Sequence, residues 1–155
     1  MSDDGERGSA LMLMPAAVLV VLILGALAVD SAVMFLGERE LADVAAAAAN
    51  DAATVALRPA AVERLGALAI DQRRAGEAAG TVAAARSSDA VTLTDVTVRT
   101  DNSVLPPEVT VIATGTVRLV FTPTVPGGAR LRTVQATAVA APEAPDPLTA
   151  GEAAC

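Results

Sequence analysis

The stretch from Gly8 to Val29, GSALMLMPAAVLVVLILGALAV, decides the fold of this chain. It carries no charged side chain before Asp30. At a rise of 1.5 Å per residue, a helix of about 22 residues is about 33 Å long, and the hydrocarbon core of a bilayer is about 30 Å thick. The stretch therefore predicts a transmembrane helix, with residues 9–29 as the span and residues 1–8 as a polar N-terminus.

Helical periodicity continues beyond the span, over residues 30–58. Apolar and small residues recur there at steps of three and four: Met34, Gly37, Leu41, Val44, Ala48, Ala52 and Val55. This spacing places them on one face of a helix. We therefore expect a single long helix that is first transmembrane and then amphipathic, with this face packed against a sheet or another helix. Arg58 precedes Pro59, and the residue before a proline disfavours the helical conformation, so the helix is predicted to end there.

A second helix is predicted over residues 59–86. Pro59 suits the first position of a helix, and an apolar face follows it. The residues of that face are Val62, Leu65, Leu68, Ala69 and Ile70.

The period changes from 3.6 to 2 over residues 89–140, which predicts three strands. They are Val91–Thr100, with a bulge near Thr94, then Glu108–Phe121 and Arg130–Ala140. Short links between them predict an antiparallel meander with one wet face, and the stripe of the long helix is the expected cover for the dry face. Residues 141–155, rich in proline and alanine, predict a disordered tail. The fold class is α+β, with a long N-terminal helix, a second helix and a small three-stranded antiparallel sheet.

Composition argues against chemistry and against nucleic acid. The net charge is −7, which is unfavourable for nucleic acid and for anionic lipid headgroups. There is no histidine, and the single cysteine, Cys155, cannot form an intramolecular disulfide. No phosphate-binding glycine loop or metal-ligand cluster occurs. We expect no enzymatic activity, no catalytic or metal-binding residues, no cofactor and no small-molecule substrate.

Several residues are candidates for helix packing and assembly rather than chemistry. Pro15 removes a helical hydrogen bond, and Gly25 would let a second helix approach closely. Asp30 is either the boundary between lipid and water or a polar contact covered by a partner membrane protein. The candidate set is Pro15, Gly25, Asp30, Met34, Leu41 and Val44.

Processing of the N-terminus is open between two alternatives. The apolar run is longer than that of a secretory signal and its start is acidic, which favours an uncleaved anchor. Ala26-Leu27-Ala28 nevertheless offers a small-x-small cleavage site after Ala28. The second alternative is therefore a secreted or membrane-anchored extracytoplasmic binding module with a cleaved signal peptide.

A set of short motifs in the first third of the chain resembles a known family. In order, they are Arg7-Gly8-Ser9, the hydrophobic segment, Ala28-Val29-Asp30, Leu41-Ala42-Asp43 and the alanine run Ala45–Ala49. Together they resemble the N-terminus of TadE/TadG-like proteins, which are pilin-like components of the tight-adherence (Flp) pilus system of bacteria. Gly8 corresponds to the processed glycine of prepilin-like members. Those members carry a glutamate five residues later, and Leu13 stands there in this chain, which favours the TadG-like branch.

The resemblance implies a role and a location. It implies a pilin-like, single-pass cell-membrane protein with a cytoplasmic N-terminus and an extracytoplasmic C-terminal domain. It implies action in pilus assembly, secretion or cell adhesion, with other pilin-like subunits or proteins of the Tad secretion machinery as partners. After assembly, such a domain would be extracellular.

Overall fold

The computed structural model describes residues 5–58, 68–86, 88, 91–124 and 127–142, with side chains from Leu13 onward. Two α-helices, three strands and a short 3-10 helix, Thr122–Thr124, lie within these ranges, in an α+β arrangement that confirms the predicted fold class. In chain order they are α1 Gly5–Val55, α2 Gln72–Ala85, β1 Val91–Asp101, β2 Glu108–Arg118 and β3 Leu131–Ala140.

Helix α1 is continuous for 51 residues and includes Pro15, so the prediction of one long helix is confirmed. Its length is about 75 Å at 1.5 Å per residue. It ends at Val55, slightly before the predicted end, because the next residues pair with an extended segment. Leu57 forms an antiparallel bridge with Ile70. The Asp71 amide also donates to the carbonyl oxygen of Ala56, at 2.9 Å.

Helix α2 begins later than the sequence suggested. Ile70, predicted to lie on its apolar face, is extended, and the predicted segment 59–67 lies outside the described residues. Asp71 is the N-cap, since its Oδ1 accepts from the amides of Arg73 at 3.0 Å and Arg74 at 3.2 Å. An aspartate in this position satisfies free amide groups of the first turn, and this local signal outweighed the apolar spacing before it. Oδ2 of Asp71 also pairs with the Arg58 guanidinium at 2.6 Å.

The sheet is an antiparallel meander in the order β1-β2-β3, as predicted. The register pairs Val111 of β2 with Val98 on one side and Ala138 on the other. The pairing of β1 shifts between Leu93 and Asp95, which confirms the predicted bulge. The shift keeps the apolar side chains of β1 on the dry face on both sides of the bulge.

Strand β2 ends at Arg118, three residues before the predicted end. Leu119 remains buried, but Phe121, the last residue of the predicted strand, is 41% exposed. The chain leaves the sheet here because the amides of Val120 to Thr122 bind a side chain of α1 instead of β3.

The core lies between α1, α2 and the dry face of the sheet. The prediction that the stripe of α1 covers this face is confirmed, since Leu41 and Ala45 pack with Ala113, Val117 and other residues of the sheet. Val55 is an exception and is exposed. The buried face is also wider than the predicted stripe, because alanines adjacent to it are buried as well. The buried alanines of α1 are Ala45, Ala48, Ala49, Ala52 and Ala53, and Ala56, directly after the helix, is buried too.

Small side chains bring the layers close together. Ala75 and Ala79 of α2 pack in the same cluster as Ala52 of α1. Gly37 lies so close to the sheet that a Cβ atom there would be 2.4 Å from Cγ2 of Val117. These contacts set the distance between helix and sheet at a value that larger residues would not permit.

Residues 143–155 of the predicted disordered tail lie outside the described residues. Pro142 is buried, so the first part of that segment belongs to the folded structure.

Candidate assembly and membrane-anchoring site

The first half of α1 presents an apolar surface to its surroundings. Within the part of the chain that the structure describes, one helix is long and apolar enough to cross a membrane, and it is α1. From residue 13 to residue 29 no side chain is buried, and only Ala26 is half-buried. A helix that exposes leucine, valine and isoleucine on every side needs an apolar environment, which lipid or other helices provide.

At the end of this surface, Asp30 is the first buried residue of α1 among those with described side chains. Its Oδ1 accepts from the amides of Val120 at 2.9 Å and Phe121 at 3.0 Å. Its Oδ2 accepts from the Thr122 amide at 2.6 Å and from the Thr122 hydroxyl. The carboxylate therefore holds the start of the β2–β3 connection on the helix. We refer to Asp30 and residues 120–122 as the carboxylate clamp.

The clamp stabilises the charged form of Asp30. The Thr122 hydroxyl, the Phe121 amide and the other two amides lower the pKa of Asp30 to about 2, against the opposing effect of burial. Donors that converge on a carboxylate favour its ionised form. Asp30 is consequently an anion across the physiological range, even though only 6% of its surface is exposed.

Helical periodicity explains why Asp30 reaches this position. Gly37 and Leu41 follow it by seven and eleven residues, which is close to two and three turns, so all three share a face of α1. β2 runs antiparallel to α1, and its Val117 packs at the level of Gly37. From Val117 to Val120, three residues of extended chain cover about 10 Å. From Gly37 back to Asp30, seven residues of helix cover about the same distance, so Val120 lies at the level of Asp30.

The structure gives Asp30 a role that neither sequence interpretation included. It does lie where the apolar surface ends, but its polar partner is its own chain. The signal was present in the sequence: Asp30 lies on the buried stripe, and an acid on that face needs hydrogen-bond donors. What the sequence could not give was the identity of donors some 90 positions away.

The other candidate residues fall into two groups. Pro15 and Gly25 lie on the exposed apolar half of α1, where a Cβ atom on Gly25 would have no neighbour within 4 Å. Leu41 and Val44 are buried within their own fold, and Met34 is half-buried.

The two candidate processing positions both lie within α1. Gly8 is in its first turns and Ala28 is two residues before Asp30. Cleavage after Ala28 would therefore leave the carboxylate clamp within the remaining chain.

A second polar connection, at the opposite end of the sheet, was not anticipated from the sequence. The Asn102 side chain accepts from the Ile70 amide at 2.8 Å and donates to the Ile70 carbonyl at 3.1 Å. Gln72 donates to the Val98 carbonyl at 2.7 Å and accepts from the Thr100 amide at 2.9 Å. These two amide side chains attach the segment before α2 to β1.

The Asp101 carboxylate at this end of the sheet has a structural partner. Oδ1 of Asp101 accepts from the Ser103 hydroxyl and from the Ser103 amide at 2.8 Å, and these two hydrogen bonds lower the pKa of Asp101. Within the described ranges, no three side chains of the metal-binding types are grouped so that they could hold an ion.

The fold and the site together define an α+β protein with a long apolar N-terminal helix that is compatible with a transmembrane span. Comparison of the chain with protein-family models, curated proteins and solved structures gives no match.

Proposed function

We propose that this chain is a non-enzymatic, pilin-like membrane protein of a tight-adherence (Flp) pilus assembly or secretion system. In this role it resembles TadE/TadG-like proteins and assembles with other pilin-like subunits or with proteins of the Tad machinery. It acts on no small molecule and binds no nucleic acid.

One observation carries the proposal: α1 is a single helix with two different environments. Its first half is apolar and exposed, and its second half provides the central face of a small α+β domain. Such a helix connects a membrane directly to a folded domain without a linker. This is the plan expected of a pilin-like subunit, in which the helix is both anchor and assembly element.

The structure also favours one part of α1 as the assembly surface. The inward face beyond residue 30 is occupied by the chain's own sheet and α2. The exposed apolar half, including Gly25, is free for other helices. Without a hydrophobic driving force in lipid, helices associate where small residues let their backbones approach, and Gly25 offers such a point.

The proposed orientation follows the resemblance rather than charge. The N-terminus lies in the cytoplasm, α1 crosses the membrane once, and the folded domain lies outside. In this orientation the sheet is available for adhesion or for contact with other components of the machinery, and it becomes extracellular if the subunit enters a filament.

A second candidate is a secreted binding module formed by cleavage after Ala28. The position of Asp30 supports it, since no residue from 13 to 29 is buried and cleavage would remove no buried residue among the described side chains. The mature protein would then be a soluble domain with the carboxylate clamp at its N-terminus.

The mass of the native protein, measured after separation of the membrane and soluble fractions, distinguishes these functions. We expect the protein to resist carbonate washing of the membranes and to retain residues 9–29. A mature protein starting near Val29 in the medium would establish the secreted module instead. Cleavage at Gly8 would support processing by a prepilin peptidase.

Assembly through the apolar half is tested by cross-linking in the membrane. In a Cys155→Ser background, Gly25→Cys should form disulfide-linked species on mild oxidation. Ala42→Cys is the matched control, since Ala42 is exposed on the second half of α1. Equal cross-linking of both variants would contradict assembly through the span.

A further inference from the structure

The base of the folded domain carries a ring of exposed apolar side chains. Here the folded domain means the described residues from Asp30 onward. Its exposed large apolar side chains number nine, and five of them lie close to the level of the carboxylate clamp. These five, which we call the apolar collar, are Phe35, Leu36, Val120, Phe121 and Leu131.

Two elements supply the collar on different sides of the structure. Phe35 and Leu36, 63% and 61% exposed, follow Asp30 by about one and a half turns and are not covered by the sheet. Val120 lies in the β2–β3 connection that the clamp holds down, and Leu131 is the first residue of β3; they are 56% and 57% exposed. The collar therefore continues the apolar surface of α1 outward and around the base of the domain.

Arginine side chains accompany the collar. Arg118 and Arg130 line an open depression of about 380 Å³ together with Leu119, Val120 and Pro123. Arg132 is exposed on the adjacent strand. None of the three forms an ion pair with a carboxylate in the described part of the chain. An apolar floor flanked by unpaired guanidinium groups fits a phosphate group attached to an acyl chain.

The dimensions of a bilayer place this depression in the headgroup layer. If residues 9–29 cross the hydrocarbon core, that core ends near Asp30, and the headgroup region extends about 5–7 Å further. Arg118 pairs with Leu131 in the register, one residue before the Leu119–Arg130 hydrogen bond. Asp30 and Gly37 are about 10 Å apart along α1, and both arginines lie between these two levels.

We propose that the apolar collar is embedded in the membrane interface and that Arg118 and Arg130 bind the phosphate of a phospholipid headgroup. This inference rests on the transmembrane part of the proposed function. The net charge of −7 does not oppose it, because electrostatic attraction is screened within about 10 Å and only the local arginines are close to the lipid.

Because the chain has no tryptophan, one introduced indole reports on the collar. Val120→Trp places it in the collar. Leu105→Trp is the matched control, because Leu105 is 82% exposed at the other end of the sheet. The full chain is reconstituted in vesicles of phosphatidylglycerol and phosphatidylcholine that contain a headgroup-spin-labelled lipid. Relative to vesicles without the spin-labelled lipid, we expect Val120→Trp to lose most of its fluorescence emission and Leu105→Trp to change little.

The arginines are tested with a short-chain phosphatidylglycerol, titrated against the detergent-solubilised Val120→Trp protein. Arg118→Gln and Arg130→Gln should each weaken binding roughly fivefold. Arg99→Gln, an exposed arginine of β1 near the other end of the sheet, should not weaken it. Circular dichroism verifies that each variant is folded.

Several results would overturn the proposal. Retention of the protein in carbonate-washed membranes with unquenched Val120→Trp emission would refute the collar alone. Loss of the protein from those membranes would refute the anchor and the collar together. Unchanged lipid affinity in both arginine variants would refute recognition of a phospholipid headgroup. Inorganic phosphate that displaces the lipid as well as unlabelled phosphatidylglycerol does would refute it too.

Discussion

Asp30 shows how one side chain can join two distant parts of a chain. Four donors from three consecutive residues converge on its carboxylate, so the start of the β2–β3 connection is fixed on α1. Burial of this carboxylate is favourable because the end of β2 holds the peptide amides in place to donate to it.

Replacing the carboxylate should destabilise the folded domain. Asp30→Asn replaces the charged carboxylate by a neutral amide, whose NH2 group faces backbone amides that are themselves donors. The thermal midpoint of the full chain in detergent should therefore fall. Thr122→Val, which removes only one hydroxyl donor, should cause a smaller fall. Asp43→Asn changes an exposed aspartate of α1 and should leave the midpoint unchanged. An Asp30→Asn protein as stable as the wild type would contradict the clamp.

The clamp also predicts how stability depends on pH. The pKa of Asp30 falls from 3.8 to about 2 on folding, so its contribution is complete above about pH 4 and is lost as the pH falls toward 2. Denaturant unfolding between pH 5 and 2 should show a weaker pH dependence in Asp30→Asn than in the wild type. Some dependence should remain, because the pKa values of Asp71 and Asp101 are lowered too. Identical slopes in the two proteins would contradict an ionised Asp30 in the clamp.

At the scale of elements, small residues determine how closely α1 approaches the rest of the domain. The alanine face of α1 packs against both α2 and the sheet, and Gly37 gives the closest approach to β2. Each of these small side chains buries little apolar surface, but close packing adds van der Waals contacts between the layers.

Two glycine-to-alanine substitutions should therefore have opposite effects. Gly37→Ala should destabilise the domain by about 1–3 kcal/mol, since the new methyl group would clash with the stiff, buried Val117 side chain. Gly80→Ala in α2 meets open space and should stabilise by about 0.5–1 kcal/mol. Chemical denaturation of both proteins measures the difference. Stabilisation by Gly37→Ala would show that the helix and sheet are further apart.

The sequence predicted elements best where one period persisted over many residues. The 51-residue helix, the meander and the bulge after Leu93 all followed from such patterns. Prediction was poorer where a single polar contact overrode the pattern. The Asp71 cap makes α2 start later than predicted, and Asp30 draws the chain after β2 away from β3. The contacts of Asp30 join residues far apart in sequence, so no local spacing reveals them. The Asp71 cap is a local signal that competed with the apolar spacing before it.

At the scale of the whole molecule, the apolar exposed surface of α1 and its buried face lie on different parts of one helix. The exposed half of α1 contributes no buried residue to the folded domain among the described side chains, and the buried face begins at Asp30. Damage to one function should therefore leave the other intact.

The double substitution Leu41→Asp and Val44→Asp should unfold the domain without releasing the protein from membranes. Two carboxylates without partners in the core should cost about 4 kcal/mol or more. Limited proteolysis of washed membranes measures the loss of protection. Val55→Asp, at an exposed position of the same helix, is the control. Full protease resistance of the double variant would contradict the packing of this helix on the sheet.

The antiparallel alignment of β2 and α1 has a mechanical consequence. A pull on the hairpin between Asp101 and Glu108 acts along both elements, so the alanine contacts and the hydrogen bonds of Asp30 bear the load in parallel. They must slip together rather than open one after another. The combined load passes residue 30 into the apolar stretch of α1, so tension at the tip reaches that stretch through contacts loaded in shear and not through a hinge.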